Sequence, residues 1–387
     1  MMLKIVIDAT PISPQPSGVG LHVANLIHSL SALQSQENFQ LGLAYQPGFK
    51  NWLLGRLEFP DYLSQYSNLY MLPIPVRISN ILLDKFPSFF PLYLEHSLDY
   101  PDIFHGTNYN VYPYKKSIKV MNLYDLTFIK YPQYINSVVR KYSKYVKKCL
   151  QWTDLILTAS ESSKTDIINY LRVEPDRIRV TPLASRYHPN YLPVEATETL
   201  QNSIRYDFSQ PYILFVSTIE PRKNINALIQ AFNNLKAKYK IPHHLILIGQ
   251  KGWHYKSIFA AIENSSWRSQ IHHLDYLSDE LVALFYSKAN VFVYPSHYEG
   301  FGLPVLEAMT LGAPVVTSNT SSLPEVAGDA ALLIDPNDPI HLANAILKVI
   351  SDSQLRNELI QKGKARAKLF SWDKTAQETL NAYKSLL

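Results

Sequence analysis

One cysteine, Cys149, stands among 387 residues, which excludes an intramolecular disulfide framework and any metal site built on paired thiolates. A reducing compartment, the cytoplasm, is the expected home. Long apolar runs are missing as well. No stretch approaches the roughly 18 consecutive apolar residues that span a bilayer, so any membrane contact is expected to be peripheral. The opening Met1-Met2-Leu3-Lys4-Ile5-Val6-Ile7 meets Asp8 at once, the pattern of a buried strand and not of a secretory leader. The formal net charge of +5, with 18% charged residues, is too mild to imply a nucleic-acid partner. Neither Asp-x-Asp nor a histidine-rich ligand spacing occurs, so no metal and no cofactor are expected. The adjacent pairs His243-His244 and His272-His273 would point to opposite faces of their strands and are read as non-ligands. GxGxxG is absent too: the first glycine loop runs Gly18-Val19-Gly20-Leu21-His22-Val23, which weighs against a dinucleotide-dependent oxidoreductase.

What is present is an ordinary globular composition, 47% hydrophobic, at a length that suits two α/β domains. The first half opens with a strand over 3–9, a loop holding Pro11, Pro14, Pro16, Gly18 and Gly20, and a helical pattern over 19–33. Residues 49–98 are irregular and rich in Pro, Tyr and Phe, and no elements are assigned there. Strands return near 103–105, 119–123 and 155–159, and 182–210 reads as a linker. The second half alternates strands at 212–217, 244–249, 291–295, 314–317 and 331–335 with helices at 224–240, 279–287, 304–311 and 339–351, a βαβ pattern that argues for a parallel doubly wound sheet. Sites are then expected on loops that follow strands.

The strongest chemical signal is Glu299-Gly300-Phe301-Gly302-Leu303-Pro304-Val305-Leu306-Glu307, directly after an apolar strand. With Pro304 at the first helical position, Glu299 falls in the loop and Glu307 about one turn into the helix. Free amides at that helix start attract oxygen-rich groups, the glycines let them approach a ligand, and two spaced carboxylates can hold two diols of one elongated ligand. A helix-capping acid in a surface loop would read the same way in isolation. The second signal is Glu220-Pro221-Arg222-Lys223-Asn224 between a strand and an amphipathic helix. Two cations there can hold a diphosphate and stabilise the charge that grows as it departs; solvated surface charges would have the same spelling.

Together with Phe370-Ser371-Trp372-Asp373 and the early glycine loop, these motifs resemble glycosyltransferase family four across nearly the whole chain. The resemblance implies an α/β GT-B fold: two facing Rossmann-like doubly wound domains, 1–190 on the acceptor side and 191–370 for the donor nucleotide, with a helix in 371–387 returning to the first. It implies a metal-independent, retaining hexosyltransferase that uses a nucleotide-sugar. Glu299 would contact the hexose, the amides of Phe301, Gly302 and Leu303 the hydroxyls or phosphates, Glu307 the ribose, and Arg222 and Lys223 the diphosphate. Tyr276 and Leu277, in Leu274-Asp275-Tyr276-Leu277-Ser278-Asp279, match the place where the base is read. Gly18 and Gly20 would cover the diphosphate from the first domain, and His105 would face the cleft. Tyr124, in Leu123-Tyr124-Asp125-Leu126, stands where relatives carry a histidine; its hydroxyl would face the donor sugar and Asp125 the acceptor.

The helical pattern over 138–150 gathers Arg140, Lys141, Lys144, Lys147 and Lys148 on one face, opposite Val139, Tyr142, Tyr145, Val146 and Cys149, a surface suited to anionic lipid or to a lipid diphosphate and equally readable as a solvated face. The expected partners are a nucleotide-sugar donor, a saccharide or polyprenyl-diphosphate-linked saccharide acceptor, and the inner face of the cell membrane. Family frequency favours UDP-glucose in bacterial envelope polysaccharide synthesis; a GDP-mannose enzyme and a non-catalytic nucleotide-sugar binding subunit remain open.

Overall fold

A computed structural model describes residues 2–13, 18–86, 88–135, 137–192, 198–201, 203–204 and 206–387. Pro14 and Pro16 of the first loop, part of the linker expected over 182–210, and the side chains of Val139, Lys141 and Tyr142 in the expected basic helix lie outside the described residues.

Thirteen described strands make two parallel sheets. The first joins β1 (Leu3–Asp8), β2 (Phe39–Tyr45), β3 (Leu69–Met71), β4 (Ile103–Gly106), β5 (Ile118–Asn122), β6 (Leu155–Thr158) and β7 (Ile178–Val180) in the order β3-β2-β1-β4-β5-β6-β7. The second joins β8 (Tyr212–Val216), β9 (His244–Ile248), β10 (Ile271–Leu274), β11 (Val291–Tyr294), β12 (Val315–Ser318) and β13 (Ala331–Ile334) in the order β10-β9-β8-β11-β12-β13. Helices cover both faces, which is why Ile5-Val6-Ile7 and Ile213-Leu214-Phe215 are buried without alternation. The strand order reverses between β1 and β4 and between β8 and β11. In open parallel sheets ligands bind at that switch, beyond the carboxyl ends of the strands. The loops after β8 and β11 are those that carry Arg222, Lys223 and Glu299.

Residues 49–98 hold three short helices, Phe49–Leu53, Val76–Lys85 and Phe90–Ser97, and the three-residue β3; elements this brief carry too little periodicity to read. Strand β2 escapes the sequence pattern because Gly42 interrupts it. A Cβ on Gly42 would lie 2.6 Å from the Tyr70 ring, so the glycine answers packing.

The chain crosses to the second domain just after β7. Leu183 and Tyr187 are already buried in the second core, ahead of the boundary expected at 190. The return is made by the helix Trp372–Lys384, capped by Ser371, whose Oγ accepts from the Lys374 amide at 3.1 Å. Its Ala376, Leu380 and Tyr383 complete the first domain's core beside the helix Val19–Glu37. Trp372 Nε1 donates to the Ser185 carbonyl at 3.0 Å, and Thr375 Oγ1 to that of Pro182 at 2.6 Å. Both domains are thereby tied to the crossing segment.

Candidate active site

The loop after β8 turns through a single 3₁₀ turn, Pro221–Lys223, and Asn224 takes a left-handed conformation (φ 57°) before the helix Ile225–Tyr239. Arg222 and Lys223 are thereby turned towards the loop after β11. Lys223 Nζ lies 2.6 Å from Glu299 Oε1 and donates to the Tyr294 hydroxyl at 2.8 Å. Arg222 Nη1 lies 3.0 Å from Glu299 Oε2, and its Nη2 lies 2.7 Å from Glu220 Oε1. Glu220, Lys223 and Glu299 are all buried. Burial pushes the Glu299 carboxyl up, yet Arg222 and then Lys223 outweigh it and hold it down to about 2. The resemblance assigned Glu299 to the hexose and Arg222 with Lys223 to the diphosphate; folding joins them with Glu220 in one cluster of two cations and two carboxylates. Each carboxylate oxygen keeps lone-pair capacity for a hydroxyl, and a diphosphate arriving here competes with Glu220 and Glu299 for the cations.

Glu307 is buried in the helix Leu303–Thr310. Leu303 opens this helix and Pro304 is its second residue, one place later than the expected position. The guanidinium of Arg186 straddles the Glu307 carboxylate, with Nη2 donating at 3.3 Å and Nε 2.9 Å away without its hydrogen aimed at the oxygen. The same arginine reaches Asp279 at 2.8 Å and lies over the Tyr187 ring, and the Tyr286 hydroxyl donates to Glu307 Oε2 at 3.3 Å. Burial pushes the Glu307 carboxyl up, with Arg186 opposing it. Tyr276 and Leu277 sit just before Asp279, Tyr276 exposed and Leu277 half-buried, so the expected base-reading loop adjoins the Glu307 end of the site.

Protein contacts require both glycines between these acids. A Cβ on Gly300 would lie 2.4 Å from the Tyr124 carbonyl oxygen of the first domain. Gly302 has φ 114°, and a Cβ there would meet Leu323 at 2.8 Å. The Phe301 side chain is buried edge-to-face on Phe370, which connects the glycine motif to Phe370-Ser371-Trp372-Asp373. Among the described residues the amides of Phe301, Gly302 and Leu303 have no protein acceptor, and they stand free at the start of a helix.

In the first domain, Asp125 is half-buried, receives the Thr127 amide at 2.9 Å, and lies near enough to Arg222 to raise that group's pKa after Glu299 and Glu220. Tyr124 is corrected. Its hydroxyl points inward, donating to the Thr107 carbonyl at 2.8 Å and accepting from Asn122 Nδ2 at 2.8 Å, so no hydroxyl is offered to a donor. His105 is corrected as well: it is 0% exposed, its Nε2 donates to Asn122 Oδ1, and the Tyr383 hydroxyl donates to its Nδ1 at 2.6 Å. Burial lowers its pKa to about 4, and it serves as a neutral bridge from β4 to β5 and the last helix, away from the cleft. Gly18 caps the helix Val19–Glu37 with φ 41°, and a Cβ there would meet nothing within 4 Å, whereas Gly20 lies inside that helix and not in the loop.

The domains meet around the same loops. Ser160 Oγ and Ser163 Oγ donate to the Gly300 carbonyl at 2.7 and 3.2 Å. Tyr298 donates to Asp166 Oδ2 at 2.7 Å and accepts from the Leu126 amide at 3.2 Å. Glu325 takes the Glu161 and Ser162 amides at 3.0 and 3.3 Å.

A family model described as glycosyl transferases group 1 matches residues 197–366, which include every second-domain residue of the cluster. Over 388 aligned residues the chain is 35% identical to O-antigen chain mannosyltransferase B of Escherichia coli, covering 99% of this chain and all of that protein. The chain belongs to the group 1 glycosyl transferases. It is therefore a hexosyltransferase, and its two sheets are the two domains of the GT-B fold. Serotype-specific mannosyltransferase WbdA of Escherichia coli is 31% identical over 249 residues, 63% of this chain and 30% of that protein. Sucrose-phosphate synthase from Thermosynechococcus elongatus shares the transferase's fold at a TM-score of 0.72 and 20% identity, with 99% of each chain covered.

Sequence reasoning missed Arg186, Glu220, Tyr294, Tyr298 and Glu325. A single arginine inside Leu183-Ala184-Ser185-Arg186-Tyr187 was a visible signal, because a lone cation in an apolar stretch needs a carboxylate partner.

Proposed function

We propose that the chain is a GDP-mannose-dependent, retaining mannosyltransferase that needs no metal and extends a lipid-linked saccharide in surface polysaccharide synthesis. The observation that carries the reading of the donor site is the buried Arg222–Lys223–Glu299 cluster set on one domain with Glu307. The choice of mannose is supported by the names of the two Escherichia coli relatives, and the UDP-glucose expectation has no such support. In this reading Glu299 accepts hydroxyls of the mannose and Glu307 the ribose diol. As the bond from the anomeric carbon to the diphosphate oxygen breaks, the electron pair goes to that oxygen, where Arg222 and Lys223 stabilise it. The acceptor hydroxyl forms the new bond on the same face, and its proton passes to the departing diphosphate. In this reading Asp125, whose charge acts on Arg222 from the first domain, orients the acceptor.

The test is a thermal-shift and calorimetric panel of GDP, UDP, ADP, GDP-mannose and UDP-glucose in EDTA, on the native chain and on Glu307→Ala. GDP and GDP-mannose are expected to raise the melting temperature of the native chain, with the response lost in the variant. A response to UDP alone overturns the base, and a response that requires added divalent cation overturns the metal-free mechanism.

A further inference from the structure

Among the described residues, those other than glycine that take a left-handed backbone fall into two groups. Asn38, Arg172 and Lys240 end helices, and Asp99 and Tyr100 follow the last turn of the helix Phe90–Ser97. The other four, Tyr109, Asn224, His254 and Ser321, lie in loops that follow β4, β8, β9 and β12, at the carboxyl ends of the sheets. Two of these shape the Arg222–Lys223–Glu299 cluster. Asn224 closes the turn that aims the cations, and Ser321 Oγ accepts the Glu299 amide at 3.0 Å. Tyr109, with φ 56°, is the member in the first domain.

A left-handed backbone is costly for so bulky a side chain, and glycine or asparagine would turn the chain there more cheaply. The surrounding loop imposes it. A Cβ on Gly106 would fall 1.8 Å from the Asn110 carbonyl oxygen, so the chain doubles back tightly after β4. The Tyr109 amide donates to the Asn122 carbonyl at 3.1 Å, and Trp152 Nε1 to that of Val111 at 2.9 Å. Strain over-determined in this way is a mark of a side chain presented at a fixed point. That point is the cleft. The Tyr109 ring lies edge-to-face on Tyr124 at 5.6 Å and on Phe128 at 6.0 Å, residues on either side of Asp125 in the chain. Burial pushes its hydroxyl well above the ordinary tyrosine range; Asp125, Tyr124 and Tyr298 add to the rise, and Arg222 opposes it. The phenol head thus stands in the field of Asp125 on its own domain and of Arg222 across the gap, on a residue that is only half-buried.

We infer that Tyr109 is an acceptor-binding residue: from the wall of the first domain its phenol packs against the terminal sugar of a saccharide acceptor and hydrogen-bonds one hydroxyl, turning another towards the donor. The chemistry of the head fits that ligand. A tyrosine offers a sugar an apolar ring and a hydroxyl that both donates and accepts, and it brings no charge for the diphosphate, which Arg222 and Lys223 serve. The inference rests on the reading of Arg222, Lys223 and Glu299 as the donor site, and it holds for either base and any transferred hexose.

The test compares the full native chain with Tyr109→Phe and with Tyr109→Asn, the second of which accepts the left-handed turn. Donor binding is read as the melting-temperature response to GDP-mannose and UDP-glucose. Turnover is read with octyl α-mannoside and octyl β-glucoside as acceptor probes, separating sugar transferred from sugar released to water. Tyr109→Phe should raise the acceptor KM about tenfold, as the loss of one hydrogen bond predicts, with the native melting temperature and donor response kept. Tyr109→Asn should lower kcat/KM for the acceptor about 100-fold and raise the fraction of donor hydrolysed instead of transferred. A residue that only held the domains together would lower transfer and hydrolysis alike. The inference is overturned by a native acceptor KM in both variants, by loss of the donor response in Tyr109→Phe, or by a native chain that binds donor and transfers to neither probe. A native chain that responds to no nucleotide-sugar overturns the donor reading, and this inference falls with it.

Discussion

At the scale of single residues, the site runs on carboxylates that burial and cations pull in opposite directions. Glu299 is held down to about 2 by Arg222 and Lys223 against its own burial. A folded pKa below the ordinary glutamate value of 4.5 means that the ion cluster stabilises the fold fully above that value, and that the contribution fades as pH falls from about 4.5 towards 2. The interval corresponds to on the order of 3 kcal/mol. Acid unfolding followed by circular dichroism should therefore steepen in that window for the native chain and not for Glu299→Gln. At pH 7 the variant should lose roughly 3 to 5 kcal/mol of stability, because the buried Lys223 and half-buried Arg222 are left with one carboxylate, and at least about 100-fold in kcat. Glu307 is the opposite case, its carboxyl pushed up by burial with Arg186 opposing. Arg186→Met removes the opposing charge, so the carboxyl rises further and its ionised fraction falls as pH falls. Nucleotide affinity measured by calorimetry from pH 6 to 8.5 should weaken towards low pH in the variant and stay flatter in the native chain. A variant with native affinity at every pH would mean that Arg186 does not govern Glu307.

At the scale of elements, what could be read from the sequence depended on length and on which contact a residue serves. Five strands of the second sheet were legible because each is a continuous apolar run flanked by a long helical pattern. Strand β3 and the short helices of 49–98 were not, since three to ten residues hold few repeats of any period. Glu299, Glu307, Arg222 and Lys223 of the proposed donor site were legible because their spacing follows strand ends. The glycines were legible as necessary, although a sequence does not say that a first-domain carbonyl lies against Gly300. His105 and Tyr124 show the same limit: both follow or lie at strand ends, and only the packing of β5 and the last helix reveals that their polar atoms are already taken. Gly300 gives the element-scale prediction. In Gly300→Ala the added methyl meets the Tyr124 carbonyl at 2.4 Å, so the two loops must separate. Misplacement on the order of 1 Å between reacting groups lowers turnover by about 100-fold. Donor binding, built on the second domain, should remain within about threefold of native by calorimetry, while kcat falls. Equal loss of donor binding would show that Gly300 serves the nucleotide and not the meeting of domains.

At the scale of the whole molecule, the proposed donor site lies beside the loops through which the domains meet, and two of the meeting contacts are open to test. Glu325 caps the amides of Glu161 and Ser162 from across the cleft, a carboxylate at a helix start where the dipole favours negative charge. Tyr298, one residue before Glu299, donates to Asp166, which Lys130 also holds at 2.9 Å. Removing the cap by Glu325→Ala costs the closed form about 1 kcal/mol, and Tyr298→Phe, which deletes a bond to a charged acceptor, about 1.5 kcal/mol. The two contacts touch different residues of the helix Glu161–Leu171, and if their effects add, the closed-to-open ratio falls by roughly 70-fold. Neither side chain touches the expected donor groups directly. The double variant should therefore bind nucleotide nearly as the native chain does, turn over slowly at saturating donor, and give a larger radius of gyration by small-angle scattering. Native scattering together with native kcat would show that closure is set elsewhere, leaving the crossing segment and the last helix, through Trp372 and Thr375, as the elements that hold the domains together.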